Sequence, residues 1–377
     1  MTQEQVAERL QLTTEMIRRH EHGLAYPGSN IRHEYVLLYG ASELALGLVV
    51  DAKPTGPTPT DQYSPQLPVV INTSTRLEAD AIASIREYIK QVVALDNQFG
   101  GTDLAPLATR FFKSVHRQLG EGLYEPSIRA DLIAAAGELA EVTGWLAYDA
   151  DRQDLVRRMN QESLYFTRMV GDKAIELLTL QNSSMQAGFL GRPAEALDIA
   201  ESVLTGPYKL SSRLRSLFLI RKARALAQGG DGAAVKLIDE ARRLHSDGLA
   251  SSDPNWTWWI DERELSWHHA MCRSDLGDLR GALDAFEQSV EATPTGETRS
   301  QYLHRAYLFQ AQTRCMTWDM AEETLRDLAP LALQVSSRRT VNIIRAALIP
   351  DAQDIIPTGL RELGTQLLDT IGDSDVW

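Results

Sequence analysis

Three groups of side chains in this sequence have the types and spacing for chemistry. With the stretch from Asn255 read as one long helix, Glu264, His268 and Cys272 recur four apart on one face. Together with Asp261 they are the ligand types of a zinc site. Mixed polar trios at this spacing arise often by chance, and no second ligand cluster accompanies this one, so no metal is assigned. The adjacent His268 and His269 point in different directions and cannot act as a pair. The second group is Arg157, Asn160 and Asn182, in the early helices of a long helical region. An asparagine amide both donates and accepts, so it can hydrogen-bond a peptide backbone in both directions. These three are the candidates for effector recognition; the competing reading makes them polar groups on a solvated face. The third group is Trp256, Trp258, Trp259 and Trp267, four of the seven tryptophans. It reads as a rigid node anchoring core and loop, with a peptide or ligand anchor as the alternative.

Catalytic motifs are missing. The sequence has no Gly-rich phosphate loop after a strand, no G-x-S-x-G elbow and no H-E-x-x-H helix. The expectation is a protein that is not an enzyme and needs no cofactor. At 377 residues, 44% of them hydrophobic, the chain can bury a sizeable core. Its 38 basic residues face 51 acidic ones, a net charge of -13. Such a field repels polyanions, so any nucleic-acid contact must come from a local patch. Two cysteines, Cys272 and Cys315, exclude a disulfide framework and a four-cysteine zinc site. No apolar run reaches the roughly 18 to 20 residues of a membrane span. The opening MTQEQVAERL has no basic-then-apolar signal pattern. A cytoplasmic protein without membrane contact is expected.

The elements that must position these groups are helices throughout, and the expected fold class is all-α. Residues 1–50 alternate short helical patterns with turns. The stretch 51–74 holds five of the 15 prolines among Thr and Ser and reads as an extended linker. Residues 75–377 run helix after helix with a degenerate internal repeat. Its best copy is HHAMCRSDLGDLRGALDAFEQSVEATP, where Leu276 and Gly277 close one helix and Leu279, Ala282, Phe286 and Val290 line the next. Similar copies turn at Leu190-Gly191 and Gly230, and a fourth puts Trp318 where its turn should fall. Small residues at helical spacing let helix backbones approach closely. This pattern resembles the tetratricopeptide repeat. Its turns recur after 39 and then 47 residues, against about 34 in the regular repeat, which implies longer helices or loops such as SSDPNWTWW. The resemblance implies an α-solenoid whose concave face takes a ligand.

The first 27 residues carry the most specific local pattern. Thr2 and Gln5 form a capping box, and Val6 and Leu10 share one face with the small Ala7 between them. Thr13 can cap a second helix, with Leu12 and Ile17 as a hydrophobic staple; Gly23 and Pro27 then end it. The string TQEQVAERLQLTTEMIRRHEHGLAYP resembles the lambda-repressor-like (Xre) helix-turn-helix family, and Leu44 to Val49 resembles the last helix of that domain. In the family the second helix enters the major groove by its N-terminal residues. The resemblance therefore implies that Thr13, Thr14, Glu15 and Arg18 lie near bases, with Gln3 and Arg19 on phosphates or bases. Arg can read guanine, Gln adenine and Glu cytosine. The family also carries a helix ahead of the matched string. That helix is expected to be missing from the domain, leaving Val6, Leu10 and Ile17 short of one wall and Glu21 without its arginine. Gln11 stands where the family turn favours Gly, and residues 1–50 hold four Arg against six Glu, so phosphate attraction is expected to be weak unless a histidine gains a proton.

The strings LYGAS, GWLAYDA, GDKAIELLTLQNSSMQAG and DPNWTWWIDEREL resemble an actinobacterial group of regulators with this layout. The resemblance implies a transcription regulator that binds a double-stranded DNA operator, as a homodimer matched to a pseudopalindrome. Its repeat domain would bind a peptide, small-molecule or protein effector. The alternative is a non-catalytic protein-interaction scaffold whose head no longer binds DNA.

Overall fold

The computed structural model describes residues 3–10, 12–21, 31, 34, 35, 38, 76–248, 250–349 and 356–372. The chain divides into two compact units, Met1–Ser64 and Pro65–Trp377.

In the first unit, α1 (Gln3–Leu10) packs on α2 (Thr14–Glu21). Val6, Ala7 and Leu10 recur at helical spacing and are buried with Ile17 and Tyr35. The Leu12 N–H donates to the Ala7 carbonyl at 2.9 Å across the end of α1. The Thr13 hydroxyl accepts the Met16 N–H at 3.2 Å, so Thr13 caps α2. Leu12 packs beside Ile17, as a staple requires. The missing wall is not found: Ile17 is 0% exposed, because Tyr35, with Ile31 and Leu38, closes over it. The expected capping box at Thr2, the Gln11 turn, the Gly23–Pro27 stop, the Leu44–Val49 helix and the 51–74 linker lie outside the described residues.

The second unit opens with α3 (Ala79–Phe99) and α4 (Ala105–Gly120). Five helix pairs follow: α5 (Arg129–Asp149) with α6 (Gln153–Val170), α7 (Lys173–Phe189) with α8 (Pro193–Leu204), α9 (Ser212–Gln228) with α10 (Ala233–His245), α11 (Glu262–Asp275) with α12 (Leu279–Glu291), and α13 (Thr298–Arg314) with α14 (Trp318–Ala332). Helices α15 (Arg338–Leu348) and α16 (Thr358–Thr370) complete it. Among the described residues there is no strand, only an isolated bridge between Leu77 and Tyr124.

One local device makes the pairs. Each first helix ends on a residue with positive φ: Asp151, Gly191, Gly230, Gly277 and Met316. The next N–H then reaches back five residues, as from Arg152 to Ala147 (2.8 Å), Arg192 to Ala187 (2.9 Å), Asp231 to Leu226 (2.9 Å), Asp278 to Arg273 (2.9 Å) and Thr317 to Gln312 (3.0 Å). This is the Schellman helix end, which reverses the chain in a few residues. The fourth copy of the repeat therefore turns at Met316, while Trp318 begins its second helix. The spacing of 47 has a local cause too. A separate turn of 3-10 helix, Asn255–Trp259, intervenes between α10 and α11. The stretch from Asn255 is thus not one helix: Asp261 is extended and caps α11, accepting the Glu264 N–H at 3.0 Å.

The pairs form two layers. Outer helices bury a single stripe, such as Ala234, Ile238 and Ala241 on α10. Inner helices are buried around their circumference; on α5, 15 of 21 residues are buried. Successive inner helices α5, α7, α9 and α11 pack side by side, and the row then returns on itself: α3 packs against α5 and α13, and α15 against α13 and α5. Asp149, at the end of α5, receives this closure. Its carboxylate accepts the Gly101 N–H (2.9 Å), the Arg299 guanidinium (3.0 Å) and the Ser337 hydroxyl (3.0 Å), with Arg339 at 3.5 Å. Burial pushes Asp149 up, but Arg299 and Arg339 outweigh it and hold the carboxyl below the usual range. The depressed value means the contribution to stability is present above the ordinary pKa, about 3.9, and fades as pH falls below it.

Two outcomes are expected by chemical denaturation. Asp149→Asn leaves two buried guanidinium groups short of their shared anion and destabilises by about 3 to 5 kcal/mol at pH 7. Met316→Gly relieves a left-handed non-glycine residue on an exposed turn and stabilises by roughly 1 kcal/mol.

Candidate functional site

The inner helices are buried around most of their circumference, so the polar residues in their central turns mostly face protein. They nevertheless carry a continuous polar chain. Arg221 on α9 donates from Nη2 and Nε to the Gln181 amide oxygen on α7, at 2.8 and 3.1 Å. The Gln181 amide nitrogen donates to Asn182, whose Nδ2 donates to Glu141 Oε1 on α5 at 2.7 Å. On the other side, Arg221 Nη1 lies 2.6 Å from His268 Nε2, which lies 2.9 Å from Glu264 Oε1. Burial and the Arg221 charge push the His268 imidazole down to about 4, so the ring is neutral near pH 7. His268 Nε2 thus lies between a guanidinium that can only donate and a carboxylate that can only accept, and which of the two it serves sets the ring proton. Burial pushes Glu264 up, and the charges of His268 and Arg221 outweigh it; the His268 charge acts only while that ring is protonated, so near pH 7 the lowering rests on Arg221.

Beside this chain lies a cavity of about 190 Å³. All five inner helices of the pairs contribute to it: Tyr148 from α5, Met185 and Phe189 from α7, Arg221, Arg224 and Gln228 from α9, Trp267, His268 and Met271 from α11, and Tyr307 from α13. Most of these sit in the C-terminal halves of their helices. Trp267 stands edge-on to Tyr307 at 5.4 Å and stacks on His304 at 5.7 Å. Arg224 pairs with Asp275 at 2.5 Å at the rim, and Gln228 Nε2 donates to the Gly188 carbonyl at 3.0 Å. A larger depression of about 410 Å³ has only α16 for its lining and so has a single wall.

The structure does not bring the three effector candidates together. Arg157 lies on the outer helix α6, half exposed, 3.6 Å from Glu195. Asn160, also on α6, is 3% exposed and packs against Gly144, with neither amide atom hydrogen-bonded. Asn182 belongs to the inner polar chain. The solvated-face reading therefore fails for both asparagines, and only Asn182 connects to the cavity. Asp261, Glu264, His268 and Cys272 serve separate purposes: a cap, an ion pair with Arg221, a cavity wall and an apolar cluster with Ile220 and Leu265. Burial pushes the Cys272 thiol up to about 11. Among the described residues no three His, Cys, Asp or Glu side chains are grouped to hold a metal ion. The tryptophans also separate. Trp256 ties its turn to α7 by donating to the Ala174 carbonyl at 3.2 Å and stacks on Trp259, Trp258 is exposed, and Trp267 lines the cavity.

On α2, Thr14 and Arg18 are exposed one turn apart on a helix whose Ile17 is enclosed. Thr13 is exposed and Gln3 half-buried, on α1. The side chains of Glu15 and Arg19 lie outside the described residues. Among the described residues no helix is long and apolar enough to cross a membrane. Arg221, Gln181, Tyr148 and Tyr307 escaped the reading of the sequence. A charge such as Arg221 inside SRLRSLFLIRKARALAQ was the available signal, since a helix apolar on several sides leaves no solvent for it. No family model matches the chain, and no curated protein matches it either.

Glu141 provides a pH test of the buried chain. Burial drives its carboxyl up to about 8, partly offset by the hydrogen bond from Asn182. The folded protein thus holds a proton that the unfolded chain releases near 4.5. Stability falls by up to about 1.4 kcal/mol per pH unit as pH rises from 4.5 towards 8. Glu141→Gln keeps an acceptor for Asn182 and is expected to flatten that slope in pH-dependent denaturation.

Proposed function

We propose that the chain is a sequence-specific DNA-binding transcription regulator whose helical-repeat unit senses an effector. The carrying observation is the division of α2: Ile17 is enclosed by Val6, Leu10 and Tyr35, while Thr14 and Arg18 face outward. A short helix anchored on one side and polar on the other is the form in which a helix-turn-helix presents base-reading residues. The Thr13 cap holds the N-terminal end of α2 in helical register, and the exposed Thr14 and Arg18, with the half-buried Gln3 of α1, are the candidate DNA contacts.

The repeat unit supports the sensing half of the proposal. Paired helices joined by recurrent tight turns, with small residues such as Ala223 and Ala227 against Ala234 and Ala241, are tetratricopeptide-like in plan. The cavity drawing on every inner helix of the pairs offers an effector contacts to all of them at once. Binding there changes operator affinity only if the effector prefers one arrangement of the unit over another. A homodimer would match a pseudopalindromic operator. The second reading, an interaction scaffold without DNA binding, is favoured by the charge of -13.

The two separate in a titration of the full chain against DNA from its own promoter and unrelated DNA, at several salt concentrations. The regulator gives a specific complex that Arg18→Ala weakens by about 1 to 3 kcal/mol. Equal, weak binding to every fragment supports the scaffold.

A further inference from the structure

The chemistry of the cavity narrows its occupant, given the effector-sensing reading above. Two buried lining residues carry unpartnered ring nitrogens. Trp267 and His268 are both more than nine-tenths buried, and neither the indole N–H nor His268 Nδ1 has a hydrogen-bond partner. Behind them stands the buried Arg221 guanidinium, whose direct hydrogen bonds go to a neutral amide and a neutral imidazole. Its nearest carboxylate, Glu264, is 3.8 Å away. An unused buried indole donor beside an incompletely neutralised cation is costly, and an anionic acceptor would satisfy both. Around them the walls are rings and thioethers: Tyr148, Phe189, Trp267, Tyr307, Met185 and Met271. Such walls suit a flat ring, by edge, face or sulfur contact. The volume sets the size. A cavity of about 150 Å³ holds benzene, so about 190 Å³ takes one ring and a small polar substituent.

We infer that this cavity is a binding site for a monocyclic aromatic carboxylate, with its ring among the aromatic and thioether walls and its carboxylate towards Arg221, His268 and Trp267. The rim pair Arg224–Asp275 and the Gln228 amide oxygen, which also has no partner, stand at the less buried side. They leave room there for a ring substituent that donates a hydrogen bond.

The test is calorimetry and thermal denaturation of the full chain with benzoate, benzamide and benzylamine. Benzoate is expected to bind one per chain and raise the melting temperature, benzamide to bind at least tenfold more weakly, and benzylamine not to bind. Arg221→Gln should weaken benzoate at least tenfold. Ala225→Leu, at a buried lining residue of α9 that packs with Ala187 and Ala196, narrows the cavity without removing a polar group and should abolish binding while circular dichroism remains helical. Ala225→Leu keeps the test decisive if Arg221→Gln fails to fold. Lack of benzoate binding, equal or tighter benzamide binding, or benzoate binding undiminished in folded Ala225→Leu overturns the inference. The DNA titration contains no aromatic acid, so its outcome and this one are read independently.

Discussion

A single buried carboxylate fixes the shape of the helical-repeat unit. Stacked helix pairs have no intrinsic reason to close, since each pair is satisfied by its two neighbours. Asp149 supplies one. It gathers a backbone N–H from the turn after α3, a guanidinium from α13, and a hydroxyl and second guanidinium from the start of α15. Residues separated by 150 and 188 positions meet on one side chain. Arg299 continues the network to Asp96 on α3 at 3.4 Å and lies over the Trp145 ring, and Arg339 lies over the Tyr148 ring. The ends of the row are thereby locked to its beginning. A buried pair of this kind contributes little net stability, but it is intolerant of losing one member. Its effect is specification of one closed arrangement.

Closure changes what the inner helices are. In an open solenoid they would line a solvated concave groove, and polar residues there would meet water. Here they surround an interior, so Glu141, Gln181, Asn182, Arg221 and His268 must find partners in one another. Most do. His268 Nδ1 does not, nor does the neighbouring Trp267 Nε1, and both residues line a cavity that all five inner helices share. The binding chemistry and the closure are therefore one arrangement, since the return of the row brings Tyr148 of α5 and Tyr307 of α13 to the same cavity.

Much of the plan was legible in the residues. Glycines at 191, 230 and 277 mark three turns because a left-handed helix end favours glycine. The outer helices announce themselves by a single apolar stripe. The turns at Asp151 and Met316 were hidden because a non-glycine residue there leaves no compositional trace. The asparagine pair was legible as polar groups in a helical context, but burial was not, since an inner helix and an exposed one can share the same short polar motif. For the N-terminal helices, the match of apolar spacing indicated the two-helix contact. It could not indicate Tyr35, which closes the wall from a segment with no visible periodicity.

The amino-acid sequence by itself determined the helical class, the paired layout and the helix caps at Thr13, Asp172, Ser211 and Asp278. These depend on interactions within a few residues, so local spacing encodes them. Only the tertiary structure decided which polar groups share a space. The partners of Arg221 lie 40 and 47 residues away, and those of Asp149 up to 188 away. Such contacts arise from how far the stack curves before it meets itself, and that curvature is a sum of small rotations at every helix interface, none of which is written in any one segment.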